Sequence, residues 1–311
     1  FADARHTVGK MPALVLGIEP LVCALLFVWF PDVSNSQKLS MITKERMFIS
    51  EEFSQRVAAL QQSPLVIYQC ENRPSTPCES VPSMEMADLA NLTTLLNKQY
   101  ASRHNYDYLR VTASFADRHP AWCKIALTHA LLQYYSYTMY LDSDAVVHTK
   151  ESLEKALQYK KYLRNRIFLN ERSRFGDIPN TGILFFRNST LALDYLQSVW
   201  YWPQRFPEAL WVADSLNVTY YRWPWELASY VLALKDIPDF QKLIYLTPRY
   251  TLDHPHGTII RHFWSKHKPG MNQRYRPVEY LDYMKRRYRA FSSETMHELV
   301  CSVQKRSITW P

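Results

Sequence analysis

From Pro64 onward, short apolar runs alternate with longer stretches whose apolar residues recur every three or four positions. The first run, "PLVIYQC", predicts a strand, and "MEMADLANLTTLLNKQYASRHN" predicts a helix because Leu89, Leu92, Leu96 and Tyr100 fall on one face. "YDYLRVTA" is the next strand. "HPAWCKIALTHALLQYY" is apolar nearly all round, with Pro120 suited to a first helical turn, and predicts a buried helix. "YTMYLDSD" is a third strand, and "TKESLEKALQYKKYL" predicts one helix capped by Thr149 with Glu151 in its first turn. "RIFLNE" and "TGILFFRN" predict further strands. This alternation implies an α/β fold, a mostly parallel Rossmann-like sheet covered by helices on both faces. Ligands of such sheets sit at the carboxyl ends of the strands.

Upstream the texture differs. Residues 31–62 are polar and charged with scattered hydrophobes, and read as a stem leading to a globular domain over residues 63–311. Residues 11–30, "MPALVLGIEPLVCALLFVWF", come close to the roughly 20 residues a membrane helix needs. Glu19 and Pro20 interrupt them, and a carboxylate at mid-bilayer costs about 2.5–3.5 kcal/mol. The expectation is a signal-anchor, with a cleaved signal peptide or a buried core helix as alternatives. Residues 1–10 are then a cytosolic tail carrying Arg5 and Lys10, or an upstream artefact if Met11 is the start. Sequons at Asn91, Asn188 and Asn217 agree with a lumenal domain, although such triplets also arise by chance.

Composition narrows the function classes. With 311 residues and 47% hydrophobic content the chain can bury a substantial core. The formal charge of +8 suits an anionic membrane face or a diphosphate-bearing ligand, and much of it lies between Arg261 and Arg289. No RNA-binding signature or helix-turn-helix pattern accompanies that charge, so nucleic acid is not an expected partner. Five cysteines with no CxxC pair argue against zinc. Cys70 and Cys78 flank a turn-rich "ENRPSTP" and are either bridged locally or free. Six glycines supply neither GxGxxG nor GxxxxGK[ST], which removes the dinucleotide fingerprint and the P-loop.

The candidate chemistry lies in "YTMYLDSDAVV". Asp142 and Asp144 follow a strand, so two carboxylates stand at the sheet's carboxyl edge, where oxygen ligands serve Mg²⁺ or Mn²⁺. A cation held there would neutralise a diphosphate leaving group. Two enzyme classes present DxD after a strand. A haloacid-dehalogenase-like metal phosphatase matches "LDSDAV" locally, but there the motif opens its domain and a later acidic pair follows, which this chain lacks. A sugar-nucleotide transferase of the GT-A fold places DxD behind a nucleotide-binding βαβ half, as here.

"NKQYASRHNYDYLRV", "HPAWCKIALTHAL", "YLDSDAVV", "NTGILFFRNS" and "IIRHFWSKHK" come in the order and spacing of a known family. Over roughly residues 64–268 the chain resembles glycosyltransferase family thirty-four, which holds fungal galactosyl- and α-mannosyltransferases and plant xyloglucan xylosyltransferases. The resemblance implies a single GT-A catalytic domain behind an N-terminal anchor, in a retaining, Mn²⁺-dependent, type II membrane protein of the Golgi or endoplasmic reticulum. It implies a UDP- or GDP-sugar donor, a glycan or glycoprotein acceptor, and possible complexes with other glycosyltransferases.

Matching also implies roles for residues. Asp144 and His262 would bind the metal, and Asp142 would reach the ribose or a metal-bound water; otherwise His262 is a surface histidine in a basic stretch. Lys124 lies on the buried helix, where an unpaired ammonium is costly, so it needs a nucleotide or carboxylate partner. Lys266 and Lys268 would clamp the diphosphate. Asn180 and Gly182 would line the sugar pocket. Glu226, in "WPWELASY", would form a covalent intermediate or, as preferred here, orient the sugar. Leu227 stands where the family has an amide, and "FWSKHK" replaces its glycine-rich turn, which leaves the donor sugar open. Tyr100 and His104 read as packing residues. The competing classes are the phosphatase and a non-catalytic glycan-binding relative.

Overall fold

The computed structural model describes residues 51–70, 86–112, 120–173, 176–179, 181–205, 226, 229–230, 233–234, 237, 240–252, 254–263, 266–267, 274–275 and 308–309. The expected signal-anchor, the sequon at Asn217, Cys78, Leu227, Asn180 and Lys268 lie outside them. Among the described residues no helix is long and apolar enough to cross a membrane.

In chain order the elements are α1 (Glu51–Leu60), β1 (Leu65–Cys70), α2 (Met86–Arg103), β2 (Asp107–Thr112), a 3₁₀ turn (Pro120–Trp122), α3 (Cys123–Leu131), β3 (Tyr137–Leu141) and β4 (Ala145–Val147). There follow α4 (Leu153–Leu157), α5 (Tyr159–Tyr162), β5 (Phe168–Ser173), β6 (Gly176–Pro179), β7 (Ile183–Arg187) and α6 (Thr190–Arg205). The last are α7 (Phe240–Leu243), β8 (Ile244–Thr247), β9 (Ile260–His262), β10 (Lys266–His267), β11 (Arg274–Tyr275) and β12 (Ile308–Thr309).

Eight strands form one sheet in the order β12-β2-β1-β3-β7-β5-β6, with β8 paired to β5. β1 runs parallel to β2 and β3, β12 parallel to β2, and β8 parallel to β5. β7 is antiparallel to both β3 and β5, so β5 points the same way as β3 and only β6 and β7 are reversed. The sheet is therefore mixed but mostly parallel. The carboxyl ends of β1, β2, β3, β5 and β8 share one edge.

Both faces are covered, which explains why the strands read as continuous apolar runs. Val66 and Tyr68 of β1 face a core built with Ile125 of α3 and Leu196 of α6. Leu65 and Ile67 face a second core with Ala101 of α2, Leu153 of α4 and Tyr159 of α5.

Three local expectations change. The helix expected from Thr149 is two short ones, because Gln158 takes a left-handed φ of 47° that ends α4. The cap is Ser152, whose hydroxyl accepts from Lys155 N–H, while Thr149 Oγ1 accepts from Glu151 N–H in a separate turn. Cys70 is bridged to Cys123 rather than to Cys78, tying the carboxyl end of β1 to the start of α3. Finally, the segment read as a stem through residue 62 contains α1, whose Phe53 and Val57, one helical turn apart, are buried in the first core.

Phe53→Ala is expected to lower unfolding stability by about 3–5 kcal/mol, the range for truncating a buried phenylalanine. Chemical denaturation of the two proteins checks this. A change near zero would put α1 outside the cooperative unit.

Candidate metal and sugar-nucleotide site

The site begins where β3 stops. The ladder to β7 continues for one more step, with Asp142 N–H donating to Gly182 O at 2.8 Å, and a tight turn then closes through Ala145 N–H to Asp142 O at 2.9 Å. Gln69 Nε2 also donates to Asp142 O at 3.0 Å, Thr93 Oγ1 to Ser143 O at 2.5 Å, and Phe263 N–H to Asp144 O at 3.1 Å. All three carbonyls of the Asp142-Ser143-Asp144 turn thus have donors, supplied by β1, α2 and the end of β9. A loop held this way keeps its side chains aimed.

β4 then pairs antiparallel with β9, with Ala145 opposite His262. This pairing sets His262 Nε2 3.0 Å from Asp144 Oδ1 and 3.5 Å from Asp142 Oδ2. One ligand atom from each of the three residues lies within 4.8 Å of the others. Two metal–ligand bonds of about 2.2 Å separate donors by at most about 4.4 Å, and the imidazole nitrogen lies well inside that distance of an oxygen on each carboxylate, so the donor set of two carboxylates and an imidazole suits a divalent cation such as Mn²⁺ or Mg²⁺. The side chain of His262 is 6% exposed, that of Asp144 15% and that of Asp142 29%, so the cluster opens on its carboxylate side. Gly182 is required by this packing: an added Cβ would overlap the His262 ring and come within 2.9 Å of Asp142 Oδ2.

Beside the cluster lies a buried ion-pair network. Lys124, second residue of α3, points Nζ at Glu226 Oε1 (2.8 Å), Thr181 O (3.1 Å) and Asp142 Oδ1 (3.4 Å). Thr181 Oγ1 donates to the same Glu226 oxygen at 2.8 Å, and Tyr140 OH donates to Asp142 Oδ1 at 2.6 Å. Burial opposes the charge on Lys124, but Asp142 and Glu226 outweigh it and lift the ammonium above its ordinary value. Burial raises the Asp142 carboxyl above the usual carboxylate range, against the opposing pull of Lys124 and His262. It also raises the Tyr140 phenol well above its ordinary value, with Asp142 adding to the effect, so Tyr140 stays a donor. Glu226 Oε2 is buried without a hydrogen-bond partner among the described residues.

Of the residues expected at the site, Asp142, Asp144, His262, Lys124, Glu226 and Gly182 come together. Lys266 lies in β10, on a two-residue hairpin with β11, and only its backbone is described. Sequence reasoning missed the supporting residues. Asn97 is fully buried and clasps β4 from α2, donating through Nδ2 to Ala145 O and accepting from Val147 N–H, both at 2.9 Å. It stands first in the quoted "NKQYASRH", which was its only signal. Tyr100, three residues on, is a buried packing residue, as expected, and donates to Glu151 O at 2.6 Å.

No protein-family profile and no curated protein significantly matches the chain. Solved structures are similar to it. A glycosyltransferase involved in the glycosylation of the major capsid of PBCV-1 is 17% identical and superposes with a TM-score of 0.46 over 71% of this chain and 98% of its own. The apo form of glycosyltransferase GlyE from Streptococcus pneumoniae TIGR4 is 12% identical, with a TM-score of 0.43 over 77% of this chain and 63% of its own. Mouse xyloside xylosyltransferase 1, also apo, is 9% identical with a TM-score of 0.34 over 60% and 84%. At these identities and TM-scores the likenesses carry neither fold nor activity to this chain, and the functional reading rests on the site's own geometry.

Two outcomes are expected of variants. Lys124→Met leaves the Glu226 and Asp142 carboxylates uncompensated and should destabilise the fold by about 3–5 kcal/mol, with Glu226→Gln in that background recovering part of the loss. A double-mutant cycle by denaturation reads this coupling. Gly182→Ala should keep the fold but weaken Mn²⁺ binding at least about tenfold, about 1.4 kcal/mol, by displacing His262; titration calorimetry that found unchanged affinity would mean the ring is not held there.

Proposed function

We propose that this chain is a retaining glycosyltransferase of the GT-A type, allied to glycosyltransferase family thirty-four. It transfers galactose, mannose or xylose from a UDP- or GDP-sugar to a glycan or glycoprotein acceptor. The observation that carries the reading is the convergence of Asp142 and Asp144 with His262, which lies more than a hundred residues further along the chain and is brought to them by the β4–β9 pairing. Their place at the carboxyl edge of a mostly parallel sheet is where such folds bind nucleotides.

Asp144 and His262 would hold the cation, with Asp142 reaching it or the donor ribose. The cation, Mn²⁺ or Mg²⁺, supplies charge neutralisation at the diphosphate. Lys124 holds Asp142 and Glu226 in register, with Nζ 3.4 Å from one carboxylate and 2.8 Å from the other. Glu226 is fixed through Oε1 by Lys124 and Thr181, while Oε2 is the one of its oxygens left to meet a donor-sugar hydroxyl. That arrangement favours an orienting role over a nucleophilic one, so the acceptor oxygen bonds to the anomeric carbon on the face where the bond to the diphosphate breaks, its proton passes to the departing diphosphate oxygen, and configuration is retained. By the family resemblance, Gly182 and Asn180 would border the sugar, and Lys266 and Lys268 would serve the diphosphate. A phosphatase reading is disfavoured because the third ligand candidate is an imidazole rather than a carboxylate. The enzyme is placed, as part of the proposal, in the Golgi or endoplasmic reticulum with its catalytic domain lumenal behind a signal-anchor.

A thermal-shift screen of UDP-galactose, UDP-glucose, UDP-xylose and GDP-mannose with Mn²⁺ tests this. One of them should stabilise the wild type, by about 2.7 kcal/mol at a hundredfold excess over Kd, and that shift should vanish in Asp144→Ala and His262→Ala. No shift with any of the four, or a shift that survives both substitutions, contradicts the proposal.

A further inference from the structure

Tyr250 combines two properties found together at no other described residue. It is 53% exposed, the one aromatic among the described large hydrophobic residues left so open. Its backbone is left-handed, with φ of 64°. Asn105 and Gln158 share that conformation, but Asn tolerates it and Gln158 is a helix terminus. A bulky aromatic held at positive φ while facing solvent is retained only where its surroundings enforce it.

The surroundings do so here. Glu171, buried at the carboxyl end of β5, accepts the N–H groups of Tyr250 (2.9 Å) and Leu252. Tyr250 O accepts from Thr258 N–H at 2.9 Å, and Thr251 O from Ile259 and Ile260 N–H at 3.0 and 3.1 Å. A Cβ at Gly257 would overlap the Ile260 carbonyl, so the loop closes tightly on itself. The loop is also bonded to the candidate metal site, since His254 O accepts from His262 N–H at 3.2 Å. One imidazole meets the ring, His254 edge to face at 4.4 Å, and exposed His256 lies 5.4 Å from His254. His254 Nδ1 accepts from His256 N–H, which fixes the Nε2–H tautomer of its neutral ring.

We infer that Tyr250, with His254 at its edge, is a stacking platform for one pyranose ring of the acceptor glycan. A pyranose offers an apolar C–H face bordered by hydroxyls, which matches an exposed phenol ring bordered by imidazole nitrogens. The sheet order separates this platform from the nucleotide. β1 and β2, the parallel half suited to the nucleotide, lie on one side of β3, while the loop leaves β8 beyond β5 on the other. The assignment of this glycan as acceptor rests on the glycosyltransferase reading; glycan binding itself does not.

The test uses the full chain and three probes, linear tetrasaccharides of glucose, mannose and galactose, titrated calorimetrically without Mn²⁺ or nucleotide. At least one should bind the wild type and bind at least about tenfold more weakly, about 1.4 kcal/mol, to Tyr250→Gly. Glycine accepts positive φ, so this variant should melt no lower than the wild type. Tyr250→Trp should bind within about threefold of the wild type, and the affinities of Mn²⁺–UDP and Mn²⁺–GDP should be unchanged in Tyr250→Gly. Failure of all three tetrasaccharides to bind, undiminished binding in Tyr250→Gly, or loss of nucleotide affinity there overturns the platform; the last would mean that a base stacks on the ring. Glycan binding that depends on Tyr250 in a chain that binds neither nucleotide would instead sink the glycosyltransferase reading and leave the platform standing.

Discussion

The antiparallel pairing of β4 with β9 is the constraint on which the site depends. β4 is the three-residue continuation of the DxD turn, and β9 is a three-residue strand ending in His262. Placing Ala145 opposite His262 makes the carboxylate just before β4 a neighbour of the imidazole that closes β9. Because strand register has a period of two, a one-residue slip would turn His262 to the opposite face. Asn97 guards against the slip from α2, and Phe263 N–H bonded to Asp144 O extends the pairing past its last ladder step.

The buried charges impose the second condition. Lys124 and Glu226 are both buried and come from distant parts of the chain, and each is costly there unless the other is present; Asp142, more open, completes the network. Their network joins the cation cluster to Glu226, so the side chain proposed to meet the sugar and the side chains proposed to hold the metal cannot move independently. The disulfide between Cys70 and Cys123 anchors the first residue of α3, next to Lys124, to the end of β1.

How much of this was legible follows from how local each signal is. β1, β3 and β7 were readable because a strand buried on both faces is apolar at most of its positions. The Asp pair was readable because it interrupts such a run at its end, and Lys124 because a cation stands out on an apolar helix. The α4/α5 break was not, since Gln158 adopts a left-handed conformation without the glycine that usually marks one. α1 was missed because two buried residues one turn apart give a weak period. β9 is too short for periodicity, so His262 entered through family resemblance alone. Asn97 and Gln69 act on backbone atoms far away in sequence, and no spacing announces such partners. The partner of Cys70 was likewise a matter of topology, lying across the β1–α3 contact rather than across the nearest turn.

In the proposed enzyme one cation is held jointly by the DxD turn and the imidazole at the end of β9. Pulsed electron paramagnetic resonance of the Mn²⁺-loaded chain, carrying ¹⁵N-labelled histidine, examines that bond itself. The expected result is a ¹⁵N hyperfine coupling of a directly coordinated imidazole, absent from His262→Ala. A Mn²⁺ ion that binds with nucleotide yet shows no nitrogen coupling in the wild type would contradict the account.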